Sequence, residues 1–317
     1  MVTQVLILTQ APSGYAAAMP IITDIDDAVA ILQQGGVVAV PTETVYGLAG
    51  DASSPLAVRQ IYATKGRPAG HPVIVHLARE ADLGQYAHVD ARAEALAAAF
   101  WPGPLTLILH KQPGVPDEVT GGLDTVGIRM PDHPLTQAVI SRFGGGIAAP
   151  SANRFGRVSP TTAQHVCDEF GDTVHVLDGG PCSVGIESTI VDLTQPEAAL
   201  LRPGSILPQA IEAIVGPLTT SDTKAPGTLK QHYQPMTSLL LSTNVEADRA
   251  RLIREGQRVA ILAATAPEDH AKHLYAELRR LDKLGVDVLI AEAAAATGLG
   301  DAINDRLRRA SSQFSTD

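Results

Sequence analysis

Lys65 and Arg67 lie in the run Lys65-Gly66-Arg67-Pro68, and Ser151 and Asn153 in Pro150-Ser151-Ala152-Asn153. An ammonium is a compact charge and a guanidinium a planar fork, a pair suited to phosphate or carboxylate. Gly66 and Pro68 stiffen the loop so that both cations can converge on one point. Cations at a helix C-terminus can also simply balance the dipole, but that role does not call for a Gly and a Pro beside them. Ser and Asn leaving a strand can bond ribose, phosphate or an oxyanion, although both are common turn residues. A third run, 41–48 (PTETVYGL), puts hydroxyls on a loop leaving a buried strand, where α/β crevices take small polar ligands. Alone it also reads as a turn capped by Thr. No Ser-His-Asp arrangement or Cys nucleophile argues for a covalent enzyme intermediate.

The elements that must position these runs alternate along the chain. Segments 36–42, 73–77, 105–111, 125–130, 147–150, 174–177, 188–193 and 199–202 are apolar enough for buried strands. Segments 26–34, 55–64, 91–100, 134–143 and 161–170 carry helical patterns, with Pro55 and Pro134 suited to a first turn. Some strands follow one another directly, so the expectation is an α/β fold with a mixed, twisted sheet. After a short helix near 207–215, the Pro-, Gly-, Ser- and Thr-rich stretch to 235 reads as a linker. The pattern then restarts as strand 238–241, helix 245–255, strand 258–263, helix 272–284, strand 286–291 and helix 301–310. That βαβαβα order predicts a small parallel, Rossmann-like sheet, but no G-x-G-x-x-G follows its first strand, so a dinucleotide role is unsupported. The expected boundaries are a catalytic domain at 20–207, a linker or lid at 208–236 and a small α/β domain at 237–317. Residues 1–19 read as a loose extension.

Composition narrows the function classes. Of 317 residues, 45% are hydrophobic and 18% charged, too apolar for disorder. No stretch approaches the ~18 apolar residues of a membrane helix. Two cysteines, Cys167 and Cys182, without metal spacing or a secretion signal, predict a reduced cytoplasmic protein. From Met236 onward there are 11 Lys and Arg against 12 Asp and Glu. With 24 and 34 in the whole chain, residues 1–235 hold 13 against 22, a balance of −9. A long polyanion normally meets a basic face, so a local pocket for a small anion is the better expectation.

Taken together, PTETVYGL, KGRP, GIRMP, APSAN, GIESTIVD, LRPG and APGTLKQHYQP keep an order and spacing that resembles the YrdC-like threonylcarbamoyl-AMP synthase family, in its longer two-domain form. The resemblance runs from about residue 22 to the end and is strongest as far as Pro235. It implies synthesis of L-threonylcarbamoyladenylate from L-threonine, bicarbonate and ATP, with release of pyrophosphate, for threonylcarbamoyladenosine modification of tRNA. It makes Thr44, His76, Arg129 and Ser188 the threonine-binding positions. Arg67, His71, Thr125, Ser151, Ser159, Arg202 and Tyr233 fall on the ATP side, Lys65 and Asn153 complete the polar pocket, and Lys65 and Arg67 take the catalytic role. His71 departs from the family, where Asn is more usual, and His76 also suits a satisfied core histidine on a strand.

The same resemblance implies Mg2+ carried with ATP, largely on phosphate oxygens, and no protein metal site. It implies a downstream tRNA-modifying transferase complex as recipient, with weak RNA binding and no membrane contact. A linker bearing Tyr233 would close over the cleft, because carbamates and mixed anhydrides hydrolyse in water. The alternative is a non-catalytic RNA-binding module, against which the −9 balance argues. A carbamoyl transferase of the hydrogenase-maturation kind would need zinc-type Cys pairs that this chain lacks, and an amino-acid sensor would release no pyrophosphate.

Overall fold

Caps decide where the helices begin. Asp24, Ser54, Asp90 and Thr162 each accept a backbone N–H of the first turn of α1 (Ile25–Gln33), α2 (Pro55–Lys65), α3 (Ala91–Phe100) and α6 (Ala163–Phe170). A proline in the first turn opens α5 (Pro134–Phe143) and α7 (Pro208–Val215), and the short α4 (Asp117–Thr120) follows Pro116. The computed structural model describes residues 20–219, 221, 223 and 232–311. The N-terminal extension and residues 220, 222 and 224–231 of the linker expected at 208–236 lie outside these residues, and the first part of that linker is helix α7.

The strands between these helices form one ten-stranded mixed sheet. In spatial order it runs β1 (Ile21–Ile22), β8 (His175–Leu177), β2 (Val38–Val40), β3 (Gly47–Asp51), β7 (Ile147–Ala148), β4 (Ile74–His76), β6 (Thr125–Arg129), β5 (Leu105–His110), β9 (Thr189–Asp192) and β10 (Ala199–Arg202). The pairs β1–β8, β2–β8, β4–β6 and β5–β9 are parallel, and the rest are antiparallel. Both faces are buried. Val38 and Val40 belong to one core cluster with Val29, Leu32, Val139 and Ile140 of α1 and α5, whereas Ala39 belongs to another with Val58, Leu96 and Val166 of α2, α3 and α6. Successive strand residues thus serve opposite layers, as a period of two requires.

The eight expected strands are present, and β1 and β3 add to them. β3 reads Gly-Leu-Ala-Gly-Asp, poor in β-formers, and is a strand because α2 must lie close. A Cβ built on Gly50 would stand 3.0 Å from Ile61 Cδ1.

The second unit holds β11 (Ser238–Ser242), β12 (Val259–Leu262) and β13 (Val288–Glu292) as a parallel sheet ordered β11–β13–β12. Its helices are α8 (Val245–Arg254), α9 (Pro267–Asp282) and α10 (Leu299–Ala310). α9 starts five residues before the sequence expectation of 272: Pro267, followed by Glu268 and Asp269 in the first turn, is a helix start that resembles a polar turn. The units share a core. Val45, Val158 and Ile186 of the first cluster with Leu274, Tyr275, Leu278, Ile303 and Leu307 of the second.

Candidate active site

Strand register brings separated residues into one row. His76 ends β4 and faces Arg129, the last residue of the parallel strand β6. Arg129 faces Thr106 on β5, Thr106 faces Ile190 on β9, and Ile190 faces Arg202 on β10. A register shift between Leu200 and Arg202 lets Arg202 turn inward at the sheet edge, where it is 3% exposed. His76, Arg129 and Arg202 of this row lie on the wall of an open cavity whose empty space, the part open to solvent included, is about 560 Å³. Thr44, Arg67, His76, Arg129, Ser151, Ser188, Arg202 and Tyr233 are all on its wall.

One side of the wall is built by α2 and the loop after β7. Gly66 caps α2 in the left-handed region at φ 67°, which turns the chain sharply between the two cations. Lys65 is buried, and its Nζ donates to Ser151 O (2.5 Å), Asn153 O (2.8 Å), Ser151 Oγ (3.3 Å) and Asn153 Oδ1 (3.3 Å). Burial, with the Arg67 charge adding to it, holds the ammonium well below its ordinary pKa. Lys65 therefore spends its donors on the Ser-Ala-Asn loop and lies behind the wall. Arg67 is on the wall: Nη2 donates to Pro72 O at 2.7 Å, and its guanidinium carbon sits 5.9 Å from the Phe155 ring centroid. Burial brings its pKa down to about 10, still charged at neutral pH.

At the other end, Arg129 Nη1 donates to Thr44 Oγ1 at 2.8 Å, and Nη2 approaches Glu43 Oε1 at 2.6 Å in an ion pair lacking hydrogen-bond alignment. His76 Nδ1 stands 3.2 Å from Ile74 O. Burial first, then the Arg129 charge, pushes its pKa down to about 3, so the ring is neutral at pH 7. A neutral ring that donates from Nδ1 keeps its lone pair on Nε2. Ser188 Oγ bonds Thr106 Oγ1 (2.8 Å) and accepts from Arg202 Nη2 (3.0 Å).

Glu187 is the acidic member of the wall. Its Oε1 accepts from Ser159 Oγ at 2.6 Å, and its Oε2 accepts from Tyr275 Oη (2.8 Å) and Arg306 Nε (2.9 Å). Burial alone would raise its pKa, but Arg306, Arg202 and the hydrogen bonds from Ser159 and Arg306 outweigh it and hold it at about 2. Tyr233, 1% exposed, has φ 64°, a strained conformation for a tyrosine, and its hydroxyl has no partner among the described residues.

Of the remaining expected residues, Ser159 and Asn153 are fully buried beside the cavity. His71 stands over Phe155, 5.8 Å between centroids, near Arg67. Thr125 begins β6, at the end opposite Arg129, away from the wall. Glu187 and His232 are on the wall although the residue-by-residue reading passed them over, and Glu43 adjoins it. All three lie inside the quoted motifs; for Glu43 and Glu187 the signal was an acid within a motif that serves an anion pocket, and nothing local marks His232. Nothing in the sequence near Arg306 or Tyr275 marks them. Among the described residues no group of three or more His, Cys, Asp or Glu could hold a metal ion, and no helix is long and apolar enough to cross a membrane.

Comparison with known proteins places this geometry. The Sua5/yciO/yrdC family model, described as "Telomere recombination", matches residues 30–204, and the model described as "Threonylcarbamoyl-AMP synthase, C-terminal domain" matches residues 205–312. The chain is 39% identical to the threonylcarbamoyl-AMP synthase of Pyrococcus abyssi, over 90% of this chain and 93% of that one. It is 40% identical to the Bacillus subtilis protein of that name, over 90% and 92%. The crystal structure of P. abyssi Sua5 complexed with L-threonine superposes with a TM-score of 0.86 at 38% identity, covering 91% of this chain and 94% of that one.

Proposed function

As the chain belongs to the Sua5/yciO/yrdC family, we propose that it is a nucleotidyltransferase that makes L-threonylcarbamoyladenylate from L-threonine, bicarbonate and ATP, releasing pyrophosphate, for threonylcarbamoyladenosine modification of tRNA. The observation that carries this reading is the single cavity walled by Arg67, Arg129 and Arg202 together with neutral His76. It suits an amino acid and a triphosphate side by side, and the related Sua5 structure holds L-threonine.

The reaction needs two anions to meet. The threonine amine nitrogen bonds to the bicarbonate carbon, a carbon–oxygen bond of bicarbonate breaks, and its hydroxyl leaves with an amine proton as water, giving a carbamate. A carbamate oxygen then attacks the α-phosphorus, the bond to the β-phosphate oxygen breaks, and pyrophosphate leaves. Arg129, steadied by Glu43 and Thr44, would take the substrate carboxylate with its planar fork. The His76 lone pair on Nε2 would accept a hydrogen bond from the amine, and Ser188 would help to orient it. Arg67 and Arg202 would offset phosphate charge preorganised in a low-dielectric site. Lys65 acts one step back, fixing Ser151 and Asn153 against the nucleotide. His71 and Ser159 would complete the ATP side, which Thr125, at the far end of β6, would join only where the nucleotide extends past the wall, and the hydroxyl of Tyr233 would find its partner on the nucleotide.

Among the described residues no group forms a cage for a resident ion, and both Glu187 oxygens are already engaged. A Mg2+ would therefore ride on the phosphate oxygens of ATP, neutralising them there. His232 and Tyr233, the described end of the linker, line the cavity, which supports the linker as its cover. Because the adenylate hydrolyses readily, it would pass to a transferase complex acting on tRNA. The free thiols of Cys167 and Cys182 fit a reducing compartment such as the cytoplasm.

The test is pyrophosphate release from ATP by purified protein. Release should require L-threonine and bicarbonate together. Release indifferent to either substrate would remove the reading.

A further inference from the structure

We propose that Arg306 and Tyr275 of the second unit are positioning residues for the ATP side of the cavity: they hold the Glu187 carboxylate and offset its charge, so that the triphosphate meets the cations of the wall and no unpaired carboxylate. The proposal rests on the synthase reading above.

A carboxylate on the wall of a site for anions is a liability unless something offsets it. Arg306, 1% exposed, does so from α10. Its Nε donates to Glu187 Oε2 at 2.9 Å and its Nη2 to the Glu187 backbone O at 3.3 Å, so it grips both the side chain and the chain path. Its Nη1 donates to Asp305 Oδ2 at 2.8 Å, which fixes the guanidinium from behind. Tyr275 on α9 gives its hydroxyl to the same Oε2 at 2.8 Å.

With Ser159 on the other oxygen, the carboxylate cannot swing into the cavity. The same two side chains also carry Tyr233. The Arg306 guanidinium carbon stands 5.5 Å from the Tyr233 ring centroid, and the Tyr275 ring stacks on it at 5.7 Å. Tyr233 holds a strained φ of 64° that must be fixed by its surroundings. Glu187 and Tyr233 both line the cavity, so two elements of the second unit set two parts of its wall. A buried pair that loses one partner leaves an uncompensated charge, whereas removing both charges is far milder.

Arg306→Met in the full chain should weaken ATP binding, read by calorimetric titration and by the ATP KM, roughly 10- to 100-fold, while the threonine KM stays within about threefold. Adding Glu187→Gln to Arg306→Met should restore most of the ATP affinity. Tyr275→Phe, which removes a single hydroxyl, should shift ATP affinity the same way by less than about tenfold. A network that merely glues the units together would lower the melting temperature, leave ATP affinity of the folded protein unchanged and show no restoration by Glu187→Gln; that pattern overturns the proposal. Should Arg306→Met fail to fold, unchanged ATP affinity in Tyr275→Phe overturns it as well. Wild-type protein that binds ATP but makes no adenylate would remove the synthase reading alone. Wild-type activity with full ATP affinity in Arg306→Met would remove this proposal alone.

Discussion

The two sides of the cavity are held in opposite ways. On one side Lys65 reaches across 86 to 88 residues of sequence to fasten the Ser151–Asn153 loop, and every partner lies in the first unit. On the other, Glu187 depends on Tyr275 and Arg306, 88 and 119 residues further along and in the second unit. The first side is complete once the ten-stranded sheet has folded. The second is complete only once α9 and α10 have docked, burying Val45, Val158 and Ile186 in a shared core. A cavity assembled from both can be tuned from the second unit without altering the cation loop.

Breaking the autonomous side should cost most. Lys65→Met strands carbonyls of the Ser151–Asn153 loop without a donor, and adenylate formation should fall by at least ~10²-fold. No change in α10 should recover it, in contrast to the pair formed by Arg306 and Glu187. Pyrophosphate release measured in both backgrounds checks this, and near-normal activity in Lys65→Met would erase the distinction between the two sides. Arg67→Ala should also lose about 10²-fold by removing a preorganised charge. Its melting temperature should move less than that of Lys65→Met, because the hydrogen bonds of Arg67 go to His71 O and Pro72 O of its own loop and it meets the other loop only through the Phe155 ring. Equal losses of stability would place both cations in the scaffold.

Substrate choice gives a smaller effect. A pocket for the threonine methyl distinguishes it from serine by only about 1–3 kcal/mol, roughly 10–200-fold in kcat/KM. Competition between the two amino acids, with product ratio as readout, should show slow but real use of serine.

Acid should separate the two sides last. His76 and His232 have folded pKa values near 3 against about 6.5 unfolded. Between those values the unfolded chain binds more protons, so stability is full above about 6.5 and lost as pH falls. Near pH 5 each histidine would cost up to about 2 kcal/mol. Glu187, at about 2 folded and an ordinary carboxylate unfolded, contributes stability that is present above about 4.5 and lost only as pH falls toward 2. Denaturant unfolding at stepped pH should show these two stages. His76→Gln should shrink the upper one and Arg306→Met the lower.

Much of this was legible in the sequence, unevenly. The second unit reads directly, because apolar strands and amphipathic helices alternate there, and only the start of α9 was hidden behind Pro267. In the first unit β3 was hidden by its glycines, of which Gly50 serves the approach of α2 and Gly47 that of Ala149. Residues of one polar motif were found by type, since Lys, Arg, Ser and Asn in stiff loops suggest an anion. The row from His76 to Arg202 needed strand register, which a single sequence does not supply. Lys65 was expected to face substrate and instead supports its neighbours. Contacts between units, such as Arg306 with Glu187, leave no local pattern, because each half looks like an ordinary surface charge until the units dock.

The central claim is that one cavity joins threonine, bicarbonate and ATP. Its most direct test is mass analysis of the products made from isotope-labelled bicarbonate, L-threonine and ATP. The account predicts a threonylcarbamoyl adenylate carrying the label, formed in step with pyrophosphate. An unlabelled threonyl adenylate, or ATP turnover with no threonine-containing product, would contradict it.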